Sequence, residues 1–173
     1  MKENNGIRVR QLTEADHTEL FANYKSCVES ARFVSSQVHT TQSATLVSIK
    51  RWRANYFSDD PKVLTFGVEW KESGEIIGLM ILVFATSFAE IHYGVGKGFS
   101  GRGLATSICR EGLVLLRDMG VKEVRTHPYH RHYASIRVLE KCGFTQHGIL
   151  ENYAVFPQLG EGKFDCADMR LSL

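Results

Sequence analysis

Gly94-Val95-Gly96-Lys97-Gly98-Phe99-Ser100-Gly101-Arg102-Gly103-Leu104-Ala105-Thr106 is the stretch on which the reading of this chain turns. Before it, Ala89 to Val95 alternates apolar and polar residues at period two, as a half-buried strand does. After it, Gly103 to Met119 reads as a helix. Leu104, Ile108, Leu115 and Met119 fall on one stripe, and Gly120 stands where a helix ends. Free N–H groups at the start of a helix, with the helix dipole behind them, form an anion site. Gly101 and Gly103 let a ligand approach the backbone without a Cβ in the way. Physics alone therefore predicts a phosphate-bearing ligand here; the competing reading is a tight strand-to-helix turn that holds nothing.

Working outward, Val63 to Trp70 also alternates, Glu72-Ser73-Gly74-Glu75 is a turn, and Ile76 to Ala85 is apolar on both faces. With Ala89–Val95 these make an antiparallel meander. Further back, Ile7–Leu12 reads as a short strand, and Thr13 as the N-cap of a helix running to about Tyr24. One short helix is expected within 25–40, and another from about Ser43 to Tyr56 on Leu46, Ile49 and Tyr56. Residues 1–6 are polar and expected to be loose. Beyond the long helix come a strand over Lys122–His127, a helix over Ala134–Cys142 stopped by Gly143, a strand from Phe144, and a final strand over Cys166–Leu173. The order β-α-α-β-β-β-α-β-α-β-β predicts an α/β (α+β mixed) fold. Its mostly antiparallel sheet of 6–7 strands would carry helices on both faces.

The chain has 173 residues, no repeat and no linker, which predicts a single domain over 1–173. Lys plus Arg is 21 against 19 Asp plus Glu, so a net charge of +2 argues for neither nucleic acid nor a membrane surface as partner. The N-terminus lacks a signal peptide's apolar core, and Ile76–Ala85 is far short of the roughly 20 residues that span a bilayer. A cytoplasmic location is the expectation, with Cys27, Cys109, Cys142 and Cys166 as free thiols. Nothing in the sequence indicates oligomeric state.

Two common phosphate loops fail. A Walker loop needs GxxxxGK[ST], and Gly96-Lys97 is followed by Gly98. GxGxxG does occur at Gly96–Gly101, but an antiparallel meander precedes it. The following strand also ends Thr126-His127 without the ribose-binding acid of a dinucleotide fold.

Phe99–Thr106 resembles the [QR]xxGx[GA] acetyl-CoA loop of GNAT acetyltransferases, and Ala89–Tyr93 their fourth strand. Ala134–Phe144 resembles the segment that closes the cofactor site in the ribosomal-protein (RimJ/RimL-like) branch. The resemblance is dense from about residue 76 onward. It implies a GNAT fold whose sheet is split at the fourth and fifth strands, acetyl-CoA as cosubstrate, and no metal. It places Val95, Gly96, Ser100, Gly101, Arg102, Gly103, Leu104, Ala105, Thr106 and His132 at the cofactor. Ser100 stands where Gln or Arg is usual, His132 where Asn is usual, and Leu139 where many members carry a Tyr acid.

Acetyl transfer to an amine requires a free amine, a polarised thioester carbonyl and a stabilised thiolate. The family's carbonyl contact falls at about Gly94–Gly96, whose glycines fit a strand that breaks its ladder. Period two sets Glu90, His92 and Gly94 on one face. Glu90 is the first candidate base; His92 is the second, since imidazoles titrate near neutrality. The competing reading of each is a solvated strand residue. Ser135 is the candidate acid for the thiol, by its match to the branch's Ser, with Tyr133 a weaker competitor. His127, His130 and His132 share one loop without Cys or acid at ligand spacing, so lining a ligand mouth is preferred to binding metal. Trp52, Tyr56 and Trp70 read as core rather than groove. The acceptor implied is a protein N-terminal amine. The alternatives are a small amine (polyamine, amino acid or antibiotic) or a module that binds acyl-CoA without turnover.

Overall fold

The computed structural model describes residues 6–173; all but Gly6 of the start expected to be loose, residues 1–6, lies outside them. Eleven named elements follow in chain order: β1 (Ile7–Gln11), α1 (His17–Leu20), α2 (Gln42–Ala54), β2 (Val63–Trp70), β3 (Ile76–Phe84), β4 (Ala89–Val95), α3 (Leu104–Asp118), β5 (Glu123–Thr126), α4 (Tyr133–Lys141), β6 (Thr145–Ala154) and β7 (Phe164–Ser172). They build one seven-stranded sheet ordered β1-β2-β3-β4-β5-β7-β6. The meander β2–β3–β4 forms as expected. All neighbours are antiparallel except β4 and β5, which run parallel and pair only at Ala89↔Val124 and Glu90↔Arg125. Beyond those two pairs the sheet splits.

The apolar run of β3 supplies both cores. Ile77, Met80 and Leu82 join Ile91, Ile108, Leu116 and Val124 under α3, while Ile76 and Leu79 join Leu12, Leu20 and Ile49 under α1 and α2. α3 lies close because Gly112 has no side chain: a Cβ there would stand 2.5 Å from Ile91 Cδ1 and 2.8 Å from Met80 Sδ. The buried stripe of α3 is Leu104, Ile108, Cys109, Gly112, Leu113 and Leu116, whereas Met119, expected on it, is 52% exposed. The helix stops at Asp118 and Gly120 turns away at φ 80°, so Met119 has left the helical register.

Two expectations in the first third are corrected. The helix predicted from Thr13 is three short pieces: a 3-10 turn (Glu14–Asp16), α1, and a π-helical turn (Phe21–Lys25). Its N-terminus is capped as expected, with the Thr13 N–H donating to the Asp16 carboxylate at 2.6 Å. The wide π turn lays Asn23 and Tyr24 on the sheet, where Asn23 Nδ2 donates to Ile76 O at 3.0 Å. No helix forms between Ser26 and Thr41, which is a strap of turns and bends. Its order comes from distant partners: Gln158 Nε2 donates to the Ala31 and Ser36 carbonyls, and the Lys97 N–H donates to Ser30 Oγ.

The ladder break expected at Gly94–Gly96 is present only on the β5 edge, where pairing ends at Glu90, and not on the β3 edge. β3 and β4 pair without interruption from Phe84↔Ala89 to Gly78↔Val95, and the Gly96 N–H continues to Ile77 O at 2.8 Å. The glycines answer a steric demand instead. A Cβ on Gly96 would stand 1.9 Å from Asn23 O, and one on Gly94 2.5 Å from the Tyr24 hydroxyl. Gly96→Ala must therefore push backbone against backbone, while Gly98→Ala meets nothing within 4 Å. We expect the first to cost about 3 kcal/mol, near the upper end for overpacking, and to lower Tm by roughly 10 °C. The second should leave thermal unfolding nearly unchanged.

Candidate active site

The loop and α3 together form an anion cradle. Gly103 is the N-cap, at φ 73° in the left-handed region, and Gly101 has φ 77°. The first bond closing α3 is the Ser107 N–H to Gly103 O at 3.4 Å, which leaves the Leu104, Ala105 and Thr106 N–H groups at the open helix end. A Cβ on Gly101 or Gly103 would meet nothing within 4 Å, so the space before these amides is clear. The residues present thus fit a pyrophosphate. Ser100 does not face that space with a free hydroxyl: its Oγ donates to Lys97 O at 2.7 Å and closes the 3-10 turn Lys97–Phe99. Arg102 lies over the Trp70 and Phe99 rings, 5.7 Å from each centroid.

Strand alternation decides which β4 amides face the split. The Gly96 N–H is bonded to β3, so the amides of alternate residues, Tyr93 and Val95, point to the other edge. β5 has left that edge after Glu90, so Val95 offers a backbone donor into the gap.

The sheet face on the α2 side carries polar residues across the split. Paired residues of neighbouring strands share a face, so the pairs Glu90↔Arg125 and Arg125↔Arg170 align Glu90 and His92 with His127 and Asp168. Glu90 and His92, expected on one face, also hydrogen-bond each other, with Oε2 to Nε2 at 2.9 Å. His92 holds the Glu90 carboxyl below its usual range, against an opposing effect of burial. Beside them, His127 Nε2 stands 3.6 Å from Asp168 Oδ1, and the Tyr153 hydroxyl 3.3 Å from His127 Nδ1. Arg170 keeps Asp168 below the usual carboxylate range, while burial lowers the His127 pKa.

The three histidines of the β5–α4 connection diverge. His127 points to Tyr153 and Asp168, the His130 ring stands edge-on to Tyr129, and His132 stacks on Phe33 of the strap at 4.1 Å. His132 thus joins the strap to the start of α4, and burial lowers its pKa. Ser135, in the first turn of α4, lies beside the Tyr93 hydroxyl, which is buried without a well-formed hydrogen bond and whose pKa burial pushes up. Tyr133 is 70% exposed and extends away from the core. Tyr56 is structural: its hydroxyl donates to Thr65 O and accepts the Leu12 N–H. Tyr153 and Asp168 escaped the sequence reading; only the period-two step from Arg125 to His127 could have pointed toward their partner.

A seven-stranded sheet that opens after one short parallel pair, with a glycine-capped helix at the opening, defines the GNAT class of acyltransferase fold. The family model described as "Acetyltransferase (GNAT) domain" matches residues 7–145, and this chain belongs to that family. It is a GNAT acetyltransferase. No curated protein matches it. Similar solved structures include the microcin C7 self-immunity acetyltransferase MccE in complex with acetyl-CoA and AMP. It is 18% identical with TM-score 0.86, covering 100% of this chain and 96% of that one. The ribosomal-protein-S5-alanine acetyltransferase of Vibrio fischeri is 15% identical with TM-score 0.83, covering 96% and 93%. The spermidine N-acetyltransferase of Vibrio cholerae, with CoA and spermine, is 15% identical with TM-score 0.79, covering 98% and 96%.

Proposed function

We propose that this chain transfers an acetyl group from acetyl-CoA to a primary amine by direct attack in a ternary complex, and that the amine is a protein N-terminus. The observation that supports the chemistry is that three features border the split in the sheet. These are the amides of Leu104–Thr106, the Val95 N–H on the open edge, and the hydrogen-bonded Glu90–His92 pair on the polar face. Acetyl-CoA would be held through its pyrophosphate by the amides from Gly101 to Thr106 and through its carbonyl by the Val95 N–H. It supplies the activated acetyl group.

Glu90 and His92 act as a unit. The carboxylate fixes the imidazole and stabilises its protonated form, and the imidazole takes the proton that the attacking amine loses. Ser135 would hydrogen-bond the departing thiolate, a role supported by its match to the branch's Ser. The resemblance of Ala134–Phe144 to the ribosomal-protein branch supports an α-amine acceptor. Its pKa of about 8, against about 10.4 for a lysine, also asks less of such a base. A small amine is the second reading, favoured by the likeness to a spermidine acetyltransferase.

A thiol-release assay over spermidine, free amino acids and peptides beginning with Ser, Ala or Thr tests these readings. Turnover restricted to peptides is the expected result. Turnover restricted to spermidine or amino acids replaces the acceptor class. Acetyl-CoA binding without turnover on any amine overturns catalysis.

A further inference from the structure

β6 is irregular at two places, between Gln146 and Ile149 and between Leu150 and Ala154, and the second is the wider. Leu150 pairs with Cys166 and Ala154 with Phe164, so β6 takes four steps where β7 takes two. Within this bulge Asn152 has φ 47°, the only non-glycine residue among those described with a positive φ. Asn is among the residues that tolerate that conformation, and the Asn152 N–H is tied to Asp165 Oδ1 at 2.9 Å. Bulges re-aim side chains, and strained non-glycine residues gather at functional sites. Here the next residue is Tyr153, turned over His127 with ring centroids 4.9 Å apart.

The contacts behind Tyr153 form a chain whose direction follows from the tautomer assigned to His127. Asp168 also accepts from Arg170 Nη2 at 2.7 Å, and it faces His127 Nε2. A neutral imidazole carries one N–H, and the carboxylate draws it to Nε2. Nδ1 is then left as an acceptor, so the Tyr153 hydroxyl donates its single proton there. Both lone pairs of the Tyr153 oxygen remain available. His127 and Asp168 are nearly buried, with side chains 9% and 8% exposed, whereas Tyr153 is 45% exposed. His127 lies on the same sheet face as Glu90 and His92, so its contact with the Tyr153 hydroxyl sets this oxygen on that face of the split.

We infer that the Tyr153 hydroxyl is the docking acceptor for the substrate amine, with His127 and Asp168 positioning it from behind. An amine N–H donates to the Tyr153 oxygen, which turns the nitrogen lone pair toward the thioester once His92 has taken the proton. This assigns a recognition element for a primary amine, and it rests on the acetyltransferase reading above.

The test is a double-mutant cycle of Tyr153→Phe and His127→Gln, read as kcat/KM for the best acceptor in the panel, with acetyl-CoA affinity measured separately. Tyr153→Phe should lower kcat/KM for the amine by roughly 10- to 100-fold, the loss expected for a hydrogen bond to a charged group. Acetyl-CoA affinity should stay within about twofold. His127→Gln should cost less than Tyr153→Phe, and the double variant no more than Tyr153→Phe alone, because His127 acts only through that hydroxyl. Losses that add, or a Tyr153→Phe enzyme with unchanged kcat/KM, overturn the inference and leave the acetyltransferase intact. A wild-type chain that turns over no amine overturns the function, and the inference with it.

Discussion

Gly103→Val abolishes acetyl-CoA binding while the protein stays folded. Gly103 is the N-cap of α3 at φ 73°, and a side chain there meets nothing within 4 Å, so no clash forces the sheet or helix apart. Two effects remain. A β-branched residue in the left-handed region is strained by about 1–3 kcal/mol. Relief of that strain rotates the peptide that opens the helix and redirects the Leu104–Thr106 amides, while the isopropyl group fills the space before them. We expect affinity for acetyl-CoA to fall at least roughly 100-fold, equal to about 2.7 kcal/mol, by isothermal titration. Gly74→Val is the control. Gly74 sits in the β2–β3 turn at φ 76° with the same open surroundings. It should carry a similar stability cost and bind acetyl-CoA as the unaltered chain does. Equal affinity for both variants would remove the amide cradle as the pyrophosphate site.

The cradle was legible in the sequence because its physics is local. A strand at period two, a run of glycines and an amphipathic helix are all visible within thirty residues, and every one of them formed. The same locality misled at Gly94 and Gly96. A glycine in a strand is read from its neighbours as a weakened ladder, but the ladder to β3 is intact. The demand comes from Asn23 and Tyr24, some seventy residues earlier in the chain. The strap between Ser26 and Thr41 shows the converse. It has no periodicity to read, since Phe33 is held by His132, Ala31 and Ser36 by Gln158, and Ser30 by Lys97. Pairing Tyr153 with His127 and Asp168 required three strands in register and a bulge that breaks period two, so no motif could announce it. Chemistry carried by one turn of backbone can be read from a sequence; chemistry assembled across strands needs the sheet.

Glu90→Gln should lower kcat by roughly 10²- to 10³-fold, within the range for loss of general-base assistance, with little change in acetyl-CoA affinity. The substitution keeps the shape of the side chain and removes its charge. Glu90 lies at the last β4–β5 pair, away from the amides of α3, so the cofactor site is untouched. His92 shields the carboxyl from protonation, so Glu90 remains ionised throughout neutral pH and is by itself a poor proton acceptor. Its contribution passes through the imidazole: the negative charge favours the imidazolium formed when the amine gives up its proton. The double variant separates this role from direct abstraction. His92→Gln in the Glu90→Gln background should cost little more than the worse single change, because the two side chains serve one proton transfer. Additive losses would mean that they act apart, and would return the base to Glu90 or to His92 alone.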